Sequence, residues 1–413
     1  MTQELTDRNK LQDNMADYLA NRGSLLLLWG TSVGKSFVAI KAFFRYLETN
    51  PTAQFLLVVA ETAHKENWRK EFIKCLGEKK AEVVLEHTTI ECYASLKNYT
   101  DTVWDIVCCD EVHHIFSDTR ITVLETIITN RFLGLSATVK KDNIVTLQNI
   151  FPGIKIHRVT TQQAIDNDFI PEPNIVCIPL ELNRFERTES VILDYTSLKI
   201  KDKGVIDDIW SNRWKYMKDR KAYTGYRIQL ACTQKEKYEY FNEQFEYWKK
   251  QYFKNPGNVR MKNMWLQWGT KRKRLLGELK TEEVKNLCLK LSRAGKRFIC
   301  FCSSIEQAES LGGKNCIHSR KRDTKEVIKE FNSKKIYSIY AVGMLVEGVS
   351  LTDIEVEVIV QLDGEERQFI QKLGRVLRAD FPVQYILYYR DTRDEEYLQK
   401  ALEGIDKNYI QEI

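Results

Sequence analysis

A glycine-containing segment near the start of the chain could bind phosphate. It reads Trp29-Gly-Thr-Ser-Val-Gly-Lys-Ser36 and lies between the apolar run Leu25–Trp29 and the helix-like stretch Lys35–Glu48. Backbone N–H groups of such a turn bind phosphate oxygens, while the lysine reaches the β- and γ-phosphates and the serine coordinates Mg²⁺. Tryptophan stands where the full pattern has glycine, so an ordinary strand-to-helix turn remains an alternative. The predicted phosphate-binding residues are Gly30, Thr31, Ser32, Val33, Gly34, Lys35 and Ser36.

Two carboxylates form the second candidate. Asp110 and Glu111 follow the apolar run Val103–Cys109, about 75 residues after the glycine-containing turn. A carboxylate at the end of a buried strand can hold Mg²⁺ through water, and a second one can orient an attacking water. The alternative is a solvated acidic start of the next helix, where the helix dipole favours negative charge.

Two further segments follow in chain order. Ser136-Ala-Thr138 comes after the apolar run Phe132–Leu135 and by itself indicates only a helix start. In Gln371-Lys-Leu-Gly-Arg-Val-Leu-Arg378, the arginines 375 and 378 are three residues apart and share a helix face. Two guanidinium groups on one face can stabilise the charge of a transferring phosphoryl group, although such pairs are ordinarily solvated.

The order of these four motifs resembles that of superfamily 2 helicases and translocases. The resemblance implies an α/β fold with two tandem RecA-like domains, ATP and Mg²⁺ in the cleft, and nucleic acid across both domains. It implies Mg²⁺ coordination by Ser36 and Asp110, and adenine recognition by Gln12, which lies 23 residues before Lys35. The implied catalytic residues are Lys35, Asp110, Glu111, Gln371, Arg375 and Arg378.

The same resemblance implies backbone contacts to nucleic acid. The matching residues are Thr62, Ser95, Ser303 and His318, for each of which an ordinary turn residue is the alternative. Residues 343–351 resemble the fifth motif, except that Ser350 stands where an acidic residue is usual. Asn67-Trp68 and Tyr93–Leu96 look more like the Swi/Snf-type and phage branch-migration groups, which track DNA, than like RNA helicases.

Alternation of apolar runs with helical patterns predicts the elements that must position these residues. Continuous apolar strands separated by helices favour parallel sheets covered on both faces. In the first half the predicted strands are Leu25–Trp29, Phe55–Ala60, Glu82–Glu86, Val103–Cys109 and Phe132–Leu135. In the second half they are Arg297–Cys302, Lys335–Val342, Val356–Gln361 and Gln384–Tyr389, with a helix at Gln368–Ala379.

Three of the seven prolines, at 171, 173 and 179, mark a break between the two halves. We therefore predict a first RecA-like domain at 1–160, a linker at 161–174 and a second RecA-like domain at 175–413. A mainly helical insertion at about 190–292 is expected within the second domain.

Charge is distributed unevenly along the chain. Residues 199–280 contain 21 Lys and Arg but only 9 Asp and Glu, so the formal net charge of +6 comprises +12 here and −6 elsewhere. The segment also holds 15 of the 45 aromatic residues. Basic residues bind polyphosphates and aromatic rings stack on unpaired bases, although the rings could equally build a small core. Lys271, Arg272, Lys273 and Arg274 are the predicted contacts to nucleic acid.

Composition excludes several classes of protein. The sequence shows no continuous apolar run long enough for a membrane span, and its N-terminal residues do not resemble a secretory signal. Ten dispersed cysteines without a Cys-x-x-Cys pair suit a reducing cytoplasm.

We expect a monomeric ATP-dependent DNA helicase or duplex translocase in DNA repair, recombination or replication, of a size typical of phage motors. An RNA helicase and an ATP-gated nucleic-acid clamp or recruitment subunit remain alternatives.

Overall fold

The first half of the chain builds a parallel sheet. The computed structural model describes residues 7–30, 32–196, 204–342, 351–362, 381–403 and 405–413. The sheet has six strands in the order β3-β2-β4-β5-β1-β6, and every pairing is parallel. These strands are β1 (Leu25–Trp29), β2 (Phe55–Val59), β3 (Thr88–Cys92), β4 (Val103–Cys109), β5 (Ile128–Ser136) and β6 (Lys155–Val159).

Helices cover both faces of this sheet. Leu25 and Leu27 of β1 belong to one apolar cluster, whereas Leu26 and Leu28 belong to another on the opposite face. Alternate residues of a strand point to opposite faces, so a strand buried on both sides must be apolar throughout. The helices are α1 (Arg8–Asn21), α2 (Lys35–Thr49), α3 (Thr62–Leu76), α4 (Glu78–Glu86), α5 (Asp118–Thr126), α6 (Lys141–Ile150) and α7 (Thr161–Asp166).

One predicted strand in this half is wrong. Residues Glu82–Glu86 end helix α4, and the strand that joins the sheet is the following segment, Thr88–Cys92. Ala81 and Val84 are three residues apart and buried together on one face of the helix. A short apolar run fits either a helix or a strand, and β3 is an edge strand with alternating polar residues that gave no continuous apolar signal.

A second parallel sheet contains seven strands in the order β12-β13-β11-β14-β15-β7-β16. Its strands are β7 (Asn174–Leu180), β11 (Phe298–Cys302), β12 (Cys316–Ile317), β13 (Ser338–Val342), β14 (Val356–Ile359), β15 (Val383–Tyr389) and β16 (Ile410–Glu412). Its helices include α11 (Thr281–Arg293), α12 (Ile305–Gly312), α13 (Thr324–Asn332) and α14 (Arg393–Ala401). The prediction of an α/β fold with two tandem RecA-like sheets is therefore confirmed. The helix predicted at 368–379 lies outside the described residues.

The chain between β7 and α11 forms a separate structure. A three-stranded sheet, in the order β8-β10-β9, precedes a hairpin of two long helices. These elements are β8 (Glu189–Asp194), β9 (Val205–Ile209), α8 (Arg213–Lys218), β10 (Arg227–Cys232), α9 (Gln234–Lys254) and α10 (Val259–Leu279). The small sheet departs from the expected mainly helical insertion, because its strands β8 and β9 are half-exposed and therefore contain few apolar residues.

The insertion is anchored to the second sheet by a buried ion pair. Lys280, directly after α10, places its Nζ 2.6 Å from Oδ2 of Asp394, and the two side chains are 0% and 2% exposed. The same Nζ donates to the carbonyl of Val360 at 2.7 Å. Gln361 donates its Nε2 to the other carboxylate oxygen of Asp394 at 2.6 Å. Both charges are thus paired and further hydrogen-bonded, as buried charges require.

A close backbone approach forms a second anchor. A Cβ atom on Gly277 of α10 would lie 2.3 Å from Cβ of Ser303, so only glycine permits this packing. Gln307 of α12 donates its Nε2 to the Gly277 carbonyl at 2.8 Å and accepts hydrogen bonds from the backbone and hydroxyl of Ser303. Helix α10 therefore lies directly on the loop that follows β11.

We expect Lys280→Met to lower the free energy of unfolding by about 3–5 kcal/mol, because it leaves the Asp394 carboxylate buried without its partner. Urea unfolding would measure the loss. Lys285→Met is the matched control, since Lys285 is 55% exposed in a pair with Glu282 and should contribute less than about 1 kcal/mol. Equal losses in the two variants would show that the buried pair does not anchor the insertion.

Candidate functional site

The glycine-containing turn connects β1 to α2 in a strained conformation. Gly34, the residue before α2, has φ 96°, and Ser32 has φ 66°, both in the left-handed region. Glycine adopts this region at little cost, and a turn of this kind directs successive N–H groups toward one point at the start of a helix. The turn can therefore bind a phosphate group. Thr31 lies outside the described residues.

The position of Trp29 explains why this chain tolerates a large residue there. Its side chain is fully buried, and its indole Nε1 donates to Nδ1 of His157 on the neighbouring strand β6 at 2.9 Å. The turn itself uses only the backbone of Trp29, whose carbonyl accepts a hydrogen bond from Lys35 Nζ at 3.0 Å. The departure from glycine therefore leaves the turn intact.

Lys35 is held against the turn by its own backbone. Besides the Trp29 carbonyl, its Nζ donates to the carbonyl of Gly30 at 3.4 Å. Burial lowers the pKa of Lys35, whereas the nearby carboxylates of Glu111 and Asp110 raise it. The ammonium group is thus placed at the phosphate-binding turn together with both predicted acidic residues.

Gln12 of helix α1 packs under the same turn. Its side chain is 2% exposed, and its Nε2 donates to the carbonyl of Val33 at 2.9 Å. Its Oε1 accepts a hydrogen bond from Lys41 at 3.5 Å. A Cβ atom on Gly34 would lie 2.2 Å from this amide, so the glycine and the glutamine fit together. Adenine recognition by Gln12 stays a prediction.

Asp110 follows β4 and is fixed by two N–H donors. The indole Nε1 of Trp68 donates to Oδ2 at 2.8 Å, and the backbone N–H of Glu111 donates to Oδ1 at 3.0 Å. Burial raises the pKa of Asp110, the charge of Glu111 raises it further, and the Trp68 hydrogen bond and the charge of Lys35 lower it. The Trp68 bond was not predicted, because it joins residues 42 positions apart.

Glu111 is positioned by the third motif. Its φ of 47° is left-handed and sets the direction of the side chain, whose Oε2 lies 3.3 Å from Nδ1 of His113 and 3.5 Å from the hydroxyl of Ser136. That histidine nitrogen and that hydroxyl are 3.2 Å apart. Ser136 is fully buried at the end of β5. Sequence analysis indicated only a helix start there; the contact with Glu111 gives Ser136 a positioning role.

This arrangement fits a magnesium nucleotide. Two adjacent carboxylates at the end of one buried strand face a lysine and a phosphate-binding turn, and a divalent cation would offset the burial that raises the pKa of Asp110. Ser36 follows Lys35 in the first turn of α2. The predicted second-domain residues Gln371, Arg375 and Arg378, and the fifth-motif residues 343–350, lie outside the described residues.

The four predicted backbone-contacting residues differ in exposure. Thr62 is exposed at the start of α3, and Ser95 is half-buried in a 3₁₀ turn after β3. Ser303 donates its hydroxyl to Gln307 at 2.9 Å beneath α10. His318 is 4% exposed, with its Nε2 3.3 Å from Glu309. The first two are open to a strand in this arrangement, and the latter two are covered.

The four consecutive basic residues of α10 do not share one face. Lys271 is exposed, with its Nζ 4.3 Å from the ring centre of Trp268, whereas Arg272 is 3% exposed and packs on Phe245 at 4.1 Å. Arg274 pairs with Glu278 at 2.6 Å. Successive helix residues are about 100° apart, so such a run must encircle the helix. Most aromatic residues of the hairpin pack against each other, as in the Tyr252–Trp265 stack.

Comparison with known proteins agrees with this arrangement. The family model "Type III restriction enzyme, res subunit" matches residues 7–141, and the model "Helicase conserved C-terminal domain" matches residues 279–380. Together they cover more than half of the chain and correspond to its two parallel sheets. A search of curated proteins gives no match.

Solved structures share the fold. The helicase domain of Hef from Pyrococcus furiosus is 13% identical, with a TM-score of 0.53 and coverage of 95% of this chain and 98% of that one. The SWI2/SNF2 ATPase core of Sulfolobus solfataricus, determined with double-stranded DNA, is 13% identical, with a TM-score of 0.37 and coverage of 97% and 90%.

With both family models in the expected order on two RecA-like sheets, the chain belongs to the superfamily 2 helicase-type proteins and is a nucleic-acid-dependent ATPase.

Proposed function

We propose that the chain is an ATP-driven DNA motor, either a helicase or a duplex translocase. The observation that carries the proposal is the convergence at one sheet edge of Lys35, the Asp110–Glu111 pair and Ser136. These residues lie at the carboxyl ends of β1, β4 and β5, where open parallel sheets bind their ligands.

Each residue has a separate role in ATP hydrolysis. Lys35 binds the β- and γ-phosphates, and Ser36 and Asp110 hold the Mg²⁺ that neutralises the phosphate charge. Glu111 orients the attacking water, and His113 and Ser136 hold Glu111 in place through the contacts at its Oε2. Arg375 and Arg378 of the second domain complete the site when the domains close, so that hydrolysis depends on closure and closure moves the bound strand.

DNA is the proposed track for two reasons. The Asn67-Trp68 and Tyr93–Leu96 segments resemble DNA-tracking groups, and they pack beside the catalytic site: Trp68 bonds to the Asp110 side chain, and the Tyr93 hydroxyl donates to the Asp110 carbonyl at 2.8 Å. The insertion supplies the positive charge that a phosphate backbone requires, because residues 199–280 hold 21 basic and 9 acidic residues.

We expect duplex or branched DNA to stimulate ATP hydrolysis more strongly than RNA of the same length. Phosphate release would be measured over a panel of plain duplex, forks, Holliday junctions, R-loops, single strands and RNA. Stronger stimulation by RNA would favour the RNA-helicase alternative. Displacement of a third strand from a triplex would indicate translocation, and failure of both triplex and strand displacement would identify a clamp.

Glu111→Gln should lower kcat for ATP hydrolysis by about 10²- to 10⁴-fold while leaving ATP binding nearly unchanged, because the amide cannot accept a proton from the water. A fluorescent ATP analogue would report binding and phosphate release would report turnover. Glu125→Gln, at an exposed position of α5, is the control. Turnover at the wild-type rate in Glu111→Gln would remove Glu111 from its assigned role.

The double variant Lys271→Ala, Arg274→Ala should weaken duplex binding and flatten its salt dependence. Each lost phosphate contact reduces the slope of log K against log salt by about 0.9, so two contacts account for up to about 1.8. Arg272 is kept because its side chain is buried in the hairpin. Lys70→Ala, Lys79→Ala on exposed positions of the first domain serves as control. An unchanged slope would identify the basic residues of α10 as a solvated surface only.

A further inference from the structure

A cavity of about 250 Å³ lies between helix α10 of the insertion and the start of α14 on the second sheet. Aromatic rings and cations line it together: Phe245, Trp265, Arg272, Lys273 and Arg393 are all on its wall. Its volume is near the lower end of ligand pockets, which are about 300–1,000 Å³. The space accommodates one small ligand unit and excludes a duplex.

The positive charge in this cavity is buried. Arg272 is 3% exposed, its guanidinium lies 4.1 Å from the Phe245 ring centre, and its hydrogen-bond acceptor is the neutral amide of Asn242. Burial lowers the pKa of Arg272 most, and the positive charge of Arg393 lowers it further. The carboxylate on the wall, Asp394, is paired with Lys280. A bound anion would therefore offset the cost of burying these cations.

Two buried donors on the same wall lack an acceptor. Among the residues that the structure describes, neither the indole Nε1 of Trp265 nor Nε of Arg393 has a hydrogen-bond partner. Other nitrogens of Arg393 are engaged, since its Nη1 pairs with Glu396. Buried polar groups are nearly always hydrogen-bonded, so unsatisfied donors at a cavity indicate a ligand that brings acceptors.

The cavity lies beside the loops that the resemblance assigns to nucleic acid. Gln361, on its wall, comes two residues after β14, and Arg393 begins α14 after β15. Gly277 of α10 packs against Ser303, at the end of β11. The cavity is therefore at the carboxyl edge of the second sheet, next to a predicted backbone contact.

We propose that this cavity binds one nucleotide of an unpaired nucleic-acid strand. Arg393 and Lys273 bind the phosphate, Trp265 and Phe245 contact the base, and the Trp265 N–H donates to a base oxygen or nitrogen. Base–aromatic contact combined with basic groups is the general chemistry of single-strand binding. The inference rests on the proposed function and adds a site for the separated strand to it.

Two variants test the site without disturbing the core of the hairpin. Arg393→Gln removes one cation from the wall, and Thr270→Glu places a carboxylate at an exposed residue of the same wall. Arg390→Gln is the control for the first, because Arg390 also pairs with a carboxylate, Glu412, but lies outside the cavity. Gln267→Glu, exposed on α10, is the control for the second.

The readout is fluorescence anisotropy of a labelled oligothymidylate at several salt concentrations. Arg393→Gln should weaken single-strand binding about tenfold, equivalent to ~1.4 kcal/mol, and reduce the salt slope by about 0.7, with Arg390→Gln unchanged. Thr270→Glu should weaken binding at least as much, and Gln267→Glu should not. A strand containing 5-iodouracil should crosslink to Trp265 or Phe245. Duplex-stimulated ATP hydrolysis should stay at the wild-type level, since the phosphate-binding turn is on the other sheet.

Single-strand affinity equal to that of the controls, with duplex-stimulated hydrolysis intact, would overturn the cavity assignment and leave the proposed function standing. Absence of binding and of ATPase stimulation by every nucleic acid would overturn both. Competition by free thymidine monophosphate as effective as that by the strand, at equal nucleotide concentration, would assign the cavity to a mononucleotide instead.

Discussion

The two parallel sheets are buried on both faces, and this constraint determines where the chain can place polar chemistry. A strand such as β1, whose alternate leucines enter opposite apolar clusters, has no solvent-facing side on which a charged residue could function. Charges are consequently confined to the ends of the strands. Lys35, Asp110 and Ser136 all follow or end buried strands, and they meet because parallel strands end at the same edge.

This constraint also explains which parts of the molecule were predictable. The strands β1, β4 and β5 and the residues that follow them are defined by local signals, namely a continuous apolar run and the polar residues directly after it. Edge strands such as β3 and β6 contain polar residues, and the strands of the insertion are half-exposed, so neither group has that signal. The helix α4 was mistaken for a strand because a short apolar run fits both periods.

Contacts between distant segments were beyond local reasoning. The Trp68–Asp110 hydrogen bond and the placement of Ser136 beside Glu111 depend on the order of strands in the sheet rather than on spacing along the chain. The basic run at 271–274 shows the opposite difficulty: the sequence indicates a single patch, but helical geometry separates its members. Arg272 thereby enters the interior, where it contributes to packing and to the cavity charge rather than to an open surface.

The packing of Gly277 on Ser303, together with the Lys280–Asp394 pair, fixes α10 to the second sheet at one end only. Helix α10 has 21 residues, and at 1.5 Å per residue its far end lies about 30 Å from this attachment. Such a helix acts as a lever arm: a rotation of about 10° at the base displaces the tip by roughly 5 Å over that length. Because the glycine contact leaves no gap at the base, small rotations of the second sheet are transmitted to the hairpin tip as displacements greater than one nucleotide step along a duplex, about 3.4 Å.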